Sequence, residues 1–156
     1  MMGDLWRKLT GTERPAGDAV PLTAGEVRAA LLALNGPGVP YSVRNASPGE
    51  KADLVAECSI SRVGVRLRTR MRLIPDRHEV RVLHERWENR SSGQADRQYG
   101  RGHAPTVYRQ WGTQQDPEGR TQRVEVFRFD TREMTDPLRD AVVGAGWTWR
   151  GVLFKL

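Results

Sequence analysis

The stretch Val63-Gly-Val-Arg-Leu-Arg-Thr-Arg-Met-Arg-Leu73 runs through Ile74-Pro-Asp-Arg-His78 into Glu79-Val-Arg-Val-Leu-His-Glu-Arg-Trp87. In a strand, successive side chains point to opposite faces, so Arg66, Arg68, Arg70 and Arg72 share one face. Val65, Leu67, Met71 and Leu73 share the other. One face is committed to a core and the other to water or to an anionic partner. Pro75–His78 has the length and chemistry of a hairpin connection, and Glu79 to Glu88 returns as the second strand. Pairing Leu73 with Val80 and Met71 with Val82 keeps the apolar face apolar. The same register sets Arg72 against Arg81, Arg70 against Leu83, Arg68 against Glu85 and Arg66 against Trp87. A slip of one residue would place arginines opposite the valines, so the pattern selects this register. It offers partners to Arg68 and Arg66, and leaves Arg70, Arg72 and Arg81 as an unpaired cationic cluster.

Outward from this hairpin, Leu54, Ala56, Cys58 and Ile60 alternate with Val55, Glu57 and Ser59, giving a preceding strand with one mainly apolar face. Val39 to Arg44 reads as a short extended segment, and Asn45 to Lys51 as a turn. Thr23-Ala-Gly-Glu26 is a capping box, followed by Val27, Ala30, Leu31 and Leu34 at helical spacing, with Gly36 and Pro37 as the stop. Residues 1–22 lack periodicity and read as a loose N-terminal arm, leaving 23–156 as a single domain.

Beyond the hairpin, residues 89–121 are polar, with a weak strand near 97–103, another near 106–111, and a loop at Asp116–Gly119. Val124 and Val126 on one face of 123–129, with Phe127 and Phe129 on the other, predict an interior strand covered on both sides. Asp136 and Pro137 read as N-cap and first residue of a second helix, whose stripe is Leu138, Ala141, Val142 and Ala145. Trp147 to Leu156 reads as a last strand with a bulge at Gly151. The fold class is therefore α+β: a mainly antiparallel sheet of about six to eight strands, with an N-terminal and a C-terminal helix packed on it.

A chain of 156 residues suits one domain and can bury about 70% of its unfolded surface. The net charge is +6, and the excess lies between residues 60 and 128. That middle would attract polyanions. The basic residues are arginine except for Lys8, Lys51 and Lys155, a skew that codon usage in a GC-rich genome also produces. Cys58 is the single cysteine, so no intrachain disulfide forms and a reducing compartment is natural. The N-terminus lacks a signal-peptide apolar run, and no stretch has the ~20 apolar residues of a membrane span. The expectation is a cytoplasmic protein with no membrane partner, of undetermined oligomeric state.

From Pro40 onward the chain resembles a family of bacterial hypothetical proteins. The resemblance is carried by Pro40-Tyr-Ser-Val43, Leu54-Val-Ala-Glu57, Met71-Arg-Leu73, His78-Glu-Val-Arg81, Asp136-Pro-Leu138 and the tail Gly146-Trp-Thr-Trp-Arg-Gly151. It implies one intact domain and no particular activity. An aromatic residue tends to stand at the Cys58 position in those relatives, so any cysteine chemistry would be private to this chain.

Three constellations are candidates for function. The arginine face, with Arg66, Arg68, Arg70, Arg72, Arg81 and Trp87, could contact a nucleic acid or an acidic protein surface in a non-enzymatic binding role. His84, Glu85, Trp147 and Trp149 could instead line a small-molecule or enzymatic pocket between the sheet and the C-terminal helix. The same arginine face could also join two subunits in an assembly. His84-Glu-Arg-Trp-Glu88 lacks the second histidine of a zincin and sits in a strand pattern, so no metal or other cofactor is expected. Cys58, between Ala56 and Ile60, reads as a buried inert thiol. His78 reads as a solvated turn residue. Tyr99, Tyr108, Arg109 and Trp111 around Gly100-Arg-Gly102 resemble the arginine-plus-aromatic mixture that binds single strands by stacking, or a polar loop anchored by a few aromatics.

Overall fold

Nine residues after the capping box suffice for the first helix, α1 (Ala24–Leu32), because both arms of the box are made. The Thr23 hydroxyl accepts the Glu26 N–H at 3.2 Å and the Glu26 carboxylate accepts the Thr23 N–H at 3.1 Å. α1 stops short of Gly36, since Asn35 turns back. Its amide donates to the Leu32 and Val43 carbonyls and accepts the Val43 N–H, tying the helix end to the first strand. The computed structural model describes residues 9–89 and 97–156. Residues 1–8 of the expected arm and 90–96 of the polar stretch lie outside the described residues.

The main sheet holds β1 (Ser42–Asn45), β2 (Leu54–Ile60), β3 (Val65–Ile74), β4 (Glu79–Asn89) and β5 (Arg97–Arg101), antiparallel in chain order. β8 (Thr148–Gly151) joins β4 in parallel, at Glu79–Val82, while β5 pairs with β4 at Glu85–Asn89. The two thus share one edge of β4, end to end. The β3–β4 register is the one the sequence selects, with Leu73 opposite Val80 and Arg66 opposite Trp87. A single turn of 3-10 helix at Pro75–Arg77 closes this hairpin, and His78 takes the left-handed conformation, with φ 47°.

One contiguous core draws on α1, the apolar sheet face, and α2 (Arg132–Gly144). Leu31, Leu54, Met71, Val82, Leu138 and Val142 are fully buried. Each such side chain contributes about 1.5–3 kcal/mol of burial free energy, which is what fixes the helices to this face. Among the described residues no helix is long and apolar enough to cross a membrane.

Four expectations change. First, 123–129 is not an interior strand: among the described residues β7 (Thr121–Asp130) pairs only with β6 (Val107–Gln115), in a separate two-stranded ribbon. Phe129 is buried in the core and Tyr108 and Phe127 pack on it, but Val126 is half exposed. The Val126 side chain packs toward Gly112, where an added Cβ would come within 2.8 Å of it, and half of its surface stays in water.

Second, α2 starts one turn before Asp136-Pro137, which lie inside it. Asp130 accepts the Arg132 N–H at 3.0 Å, and the Glu133 carboxylate accepts the Asp130 N–H at 2.9 Å. This reciprocal cap, with Met134 buried behind it, outweighs the start signal of Pro137. Third, the last strand is four residues long and Gly151 is not a bulge. A Cβ on Gly151 would overlap the Thr10 carbonyl, so glycine is required by close backbone approach. Fourth, residues 9–22 are not a loose arm. Glu13 bridges Trp149 in both directions at 2.8 Å, the Leu22 N–H reaches Ala145, and Thr10 is fully buried.

Candidate functional site

The face of the sheet turned away from the helices is built by alternation: Arg66, Arg68, Arg70 and Arg72 on β3, with Glu79, Arg81, Leu83, Glu85 and Trp87 opposite them on β4. Val55 and Leu83 flank Arg70 in register, and both are buried. Arginine stems cover these apolar groups while their heads stay near water.

Two buried carboxylates organise the guanidinium groups. Glu85 Oε1 accepts from Arg68 Nε at 3.1 Å and Arg70 Nε at 2.8 Å, and Oε2 accepts from the Tyr99 hydroxyl at 2.6 Å. That hydroxyl accepts in turn from Arg101 Nε at 2.6 Å. Burial pushes the Glu85 carboxyl up, but the Tyr99 hydroxyl and the two guanidiniums outweigh it and hold it below the ordinary carboxylate range. Glu79 repeats the arrangement at the other end of β4, accepting from Arg81 Nε at 3.0 Å and Arg150 Nε at 2.7 Å. Burial again opposes ionisation there, and the two arginines win. At the far edge, Arg44 is forked onto Glu50, and Glu57 is shared between Arg44 and Arg66. The Arg44 fork and the Ser47 N–H hold Glu50 down to about 2.

The sequence leaves Arg70, Arg72 and Arg81 unpaired, and two of these three have partners here. Arg70 reaches diagonally to Glu85 and to the Glu50 carbonyl, and Arg81 reaches along its own strand to Glu79. Directly opposed pairs alone cannot reveal such contacts, because long side chains also span diagonal neighbours. Arg72 is exposed, and its hydrogen bond is a 3.5 Å contact to the Leu156 carbonyl.

Arg72 opens onto a cleft of about 670 Å³ lined by Lys51, Asp53, Arg70, Arg72, Arg101, Phe154, Lys155 and Leu156. Asp53 accepts the Leu73 N–H at 2.8 Å and faces Arg28 at 3.8 Å, and the cationic side chains of the lining outnumber it. Lys51, held at φ 54° at the end of the β1–β2 turn, Arg101 on β5 and Lys155 in the tail enter it from three distant segments. Only Arg101 carries a sequence signal, through its alternation with Tyr99. Beside the cleft, Arg66 and Arg68 lie over the Trp87 ring at 5.3 and 5.0 Å, and Trp87 packs on Tyr99 at 5.3 Å between ring centres.

On the opposite face two of the four expected pocket residues, His84 and Trp149, come together with ring centres 6.0 Å apart and line one cleft. His84 hydrogen-bonds the Thr69 hydroxyl at 2.8 Å and stands edge to face with His103 at 4.5 Å. Burial, then the neighbouring His103, pushes His84 down to about 3, and burial also lowers His103. His103 Nε2 donates to the Val152 carbonyl at 2.9 Å, and its buried Nδ1 has no hydrogen-bond partner among the described residues. A cavity of about 50 Å³ adjoins this pair, with Thr69, Thr106, Thr131 and Thr135 in its wall. Trp149 borders a neighbouring open cleft of about 220 Å³. Trp147 is buried and donates to the Leu22 carbonyl at 2.8 Å, and the Glu85 carboxylate belongs to the arginine face. His78 is exposed but packs against Trp147, with ring centres 5.6 Å apart, and its carbonyl accepts the Thr148 N–H.

Burial, then Glu133, pushes the Cys58 thiol up to about 11, which keeps it protonated and unreactive near neutrality. Among the described residues no group of three His, Cys, Asp or Glu side chains is placed to hold a metal ion. No family model matches the chain, and no curated protein or solved structure matches it.

Proposed function

We propose that this is a non-enzymatic binding domain whose arginine-rich sheet face contacts an anionic partner, with the cleft beside Arg72 as the point of engagement. The observation that carries the reading is the cationic lining of that cleft by Lys51, Arg72, Arg101 and Lys155. Most other arginines of the face are committed to Glu57, Glu79 or Glu85. Held in place by buried carboxylates, those arginines form a pre-organised surround. Lys51, Arg72 and Lys155, which enter no ion pair among the described residues, are the cleft heads open to phosphates or carboxylates, whose attraction is long-ranged and weakens with salt.

Heparin-affinity elution tests this directly. The wild-type protein is expected to be retained at low salt, and Arg72→Gln combined with Lys155→Gln to elute earlier. Arg81→Gln is expected to elute close to wild type, because Glu79 already occupies that guanidinium. Failure of the wild type to bind at low ionic strength would sink the proposal.

The unpartnered Nδ1 of His103 favours a second reading, a small-molecule site between sheet and α2. Its cavity of about 50 Å³ falls well below the range of about 300–1,000 Å³ of ligand pockets. A space of that size holds at most ordered water, so the arginine face is the stronger reading.

A further inference from the structure

We infer that the anionic partner of this face is a single-stranded nucleic acid, with phosphate in the cleft and bases stacked on the adjoining aromatic side chains; the inference rests on the binding role proposed above. Charge alone would suit an acidic protein equally well. The deciding feature is the company the cations keep. Trp87 lies between the guanidiniums of Arg66 and Arg68 on one side and the ring of Tyr99 on the other. Arg101 continues the series over the other partner, 5.6 Å from the Tyr99 ring centre.

Tyr99 is 43% exposed although its hydroxyl is fixed to Glu85. The ring is thus held rigidly with much of its surface in water. Phe154, at the rim of the cleft, is 80% exposed, and no core position explains it. Arg101 joins the two regions, since it touches Tyr99, lines the cleft, and donates to the Phe154 carbonyl at 3.1 Å. Lys51, Arg72 and Lys155 enter no ion pair among the described residues.

The rings of Tyr99 and Phe154 stand next to a cleft lined by Lys51, Arg72, Arg101 and Lys155, a combination that matches a ligand carrying both planar bases and phosphates. A run of glutamates or aspartates supplies the charge but no ring to place on Tyr99 or Phe154, whereas every nucleotide supplies both. In a duplex the base faces are already stacked on one another, so an unpaired strand is the form that can use these rings.

Fluorescence anisotropy with a short labelled oligo(dT), the same sequence as a duplex, and a poly-glutamate peptide of equal charge tests the assignment. The single strand is expected to bind at least on the order of ten-fold tighter than poly-glutamate, and tighter than the duplex. With three phosphates engaged, log K against log salt should have a slope of roughly −2, and Arg72→Gln should reduce its magnitude by about 0.7. Tyr99→Leu and Phe154→Leu should each weaken single-strand binding on the order of ten-fold, leaving the salt slope unchanged. Tyr99→Phe, which keeps the ring but loses the hydroxyl bond to Glu85, should bind the single strand more tightly than Tyr99→Leu. Should Tyr99→Leu fail to fold, Phe154→Leu, at a solvent-exposed position, gives the same readout.

Equal binding of poly-glutamate and oligo(dT), with the leucine variants indifferent, would overturn the nucleic-acid assignment while leaving an anion-binding face. Preference for the duplex would overturn it also. Absence of binding to every polyanion at low salt would remove both this inference and the function on which it rests.

Discussion

The two faces of the β3–β4 hairpin bury polar groups by opposite means. On the helix side, Thr69 and His84 face each other in register, share a hydrogen bond, and stay uncharged because burial holds His84 far below its ordinary range. On the arginine side, Glu85 is also buried, yet it stays ionised because three donors converge on it. Desolvation acts on both groups, and the number of compensating partners decides the charge state. The neutral side is left with a small cavity, and the charged side presents an ordered cationic surface.

The sharpest way to break this contrast is Glu85→Ala. It leaves Arg68 and Arg70 largely buried without their counter-charge, at an expected cost of about 3–5 kcal/mol. Urea denaturation with an unchanged m-value would measure it. A loss below 1 kcal/mol would mean that the arginines reorient freely and that the hub is not an organising element.

The next effect is pH dependence, and the two faces titrate in different windows. An unfolded histidine takes up a proton below about pH 6.5, whereas folded His84 stays neutral down to about 3. The unfolded state therefore binds more protons, and stability falls with decreasing pH by about 1.4 kcal/mol per unit for this residue. Its contribution is fully present above pH 6.5. Glu79 and Glu85, held below their ordinary range, stabilise the fold above about pH 4.5, and that contribution is lost only on further acidification. A denaturation series from pH 7 to 5 should show the histidine slope, and His84→Gln should flatten it. An unchanged slope in that variant would assign the effect elsewhere.

A smaller loss is expected for Thr69→Val, which keeps the shape and leaves His84 Nδ1 without its partner. The cost should be about 1–3 kcal/mol by thermal or urea denaturation. Smallest of all, Arg72→Gln should change stability by less than about 0.5 kcal/mol, since it is a surface position without an ion pair among the described residues. A large loss there would show that Arg72 supports the fold and is not held ready for a partner.

Comparing the hairpin with the β6–β7 ribbon shows what could be read from the residues. Alternation across β3 and β4 selects one register because a slip would bury arginine, and the β3–β4 pairing follows that register throughout. The capping box at Thr23 and Glu26 is equally local and equally legible. In β7 the apolar residues on both faces give the same kind of signal and mislead, because among the described residues the strand pairs with β6 alone and leaves Val126 half exposed. The start of α2 was misplaced for a related reason: Pro137 is a local signal, and the Asp130–Glu133 cap with buried Met134 is stronger. Among the site residues, Arg66, Arg68 and Trp87 follow from register alone. Lys51 and Lys155 could not be found that way, since nothing in their neighbouring residues marks them.

By itself the sequence determined the α+β class, the hairpin register, the first helix start and the arginine face, all of which depend on spacing over a few residues. Tertiary structure alone decided which of those arginines are committed and which are open. Ion pairs are made across diagonals and between distant strands, as in Arg150 with Glu79. It also decided that Lys51, Arg72, Arg101 and Lys155 line one cleft, because side chains far apart in sequence meet only when the sheet edge, the turn and the tail fold together.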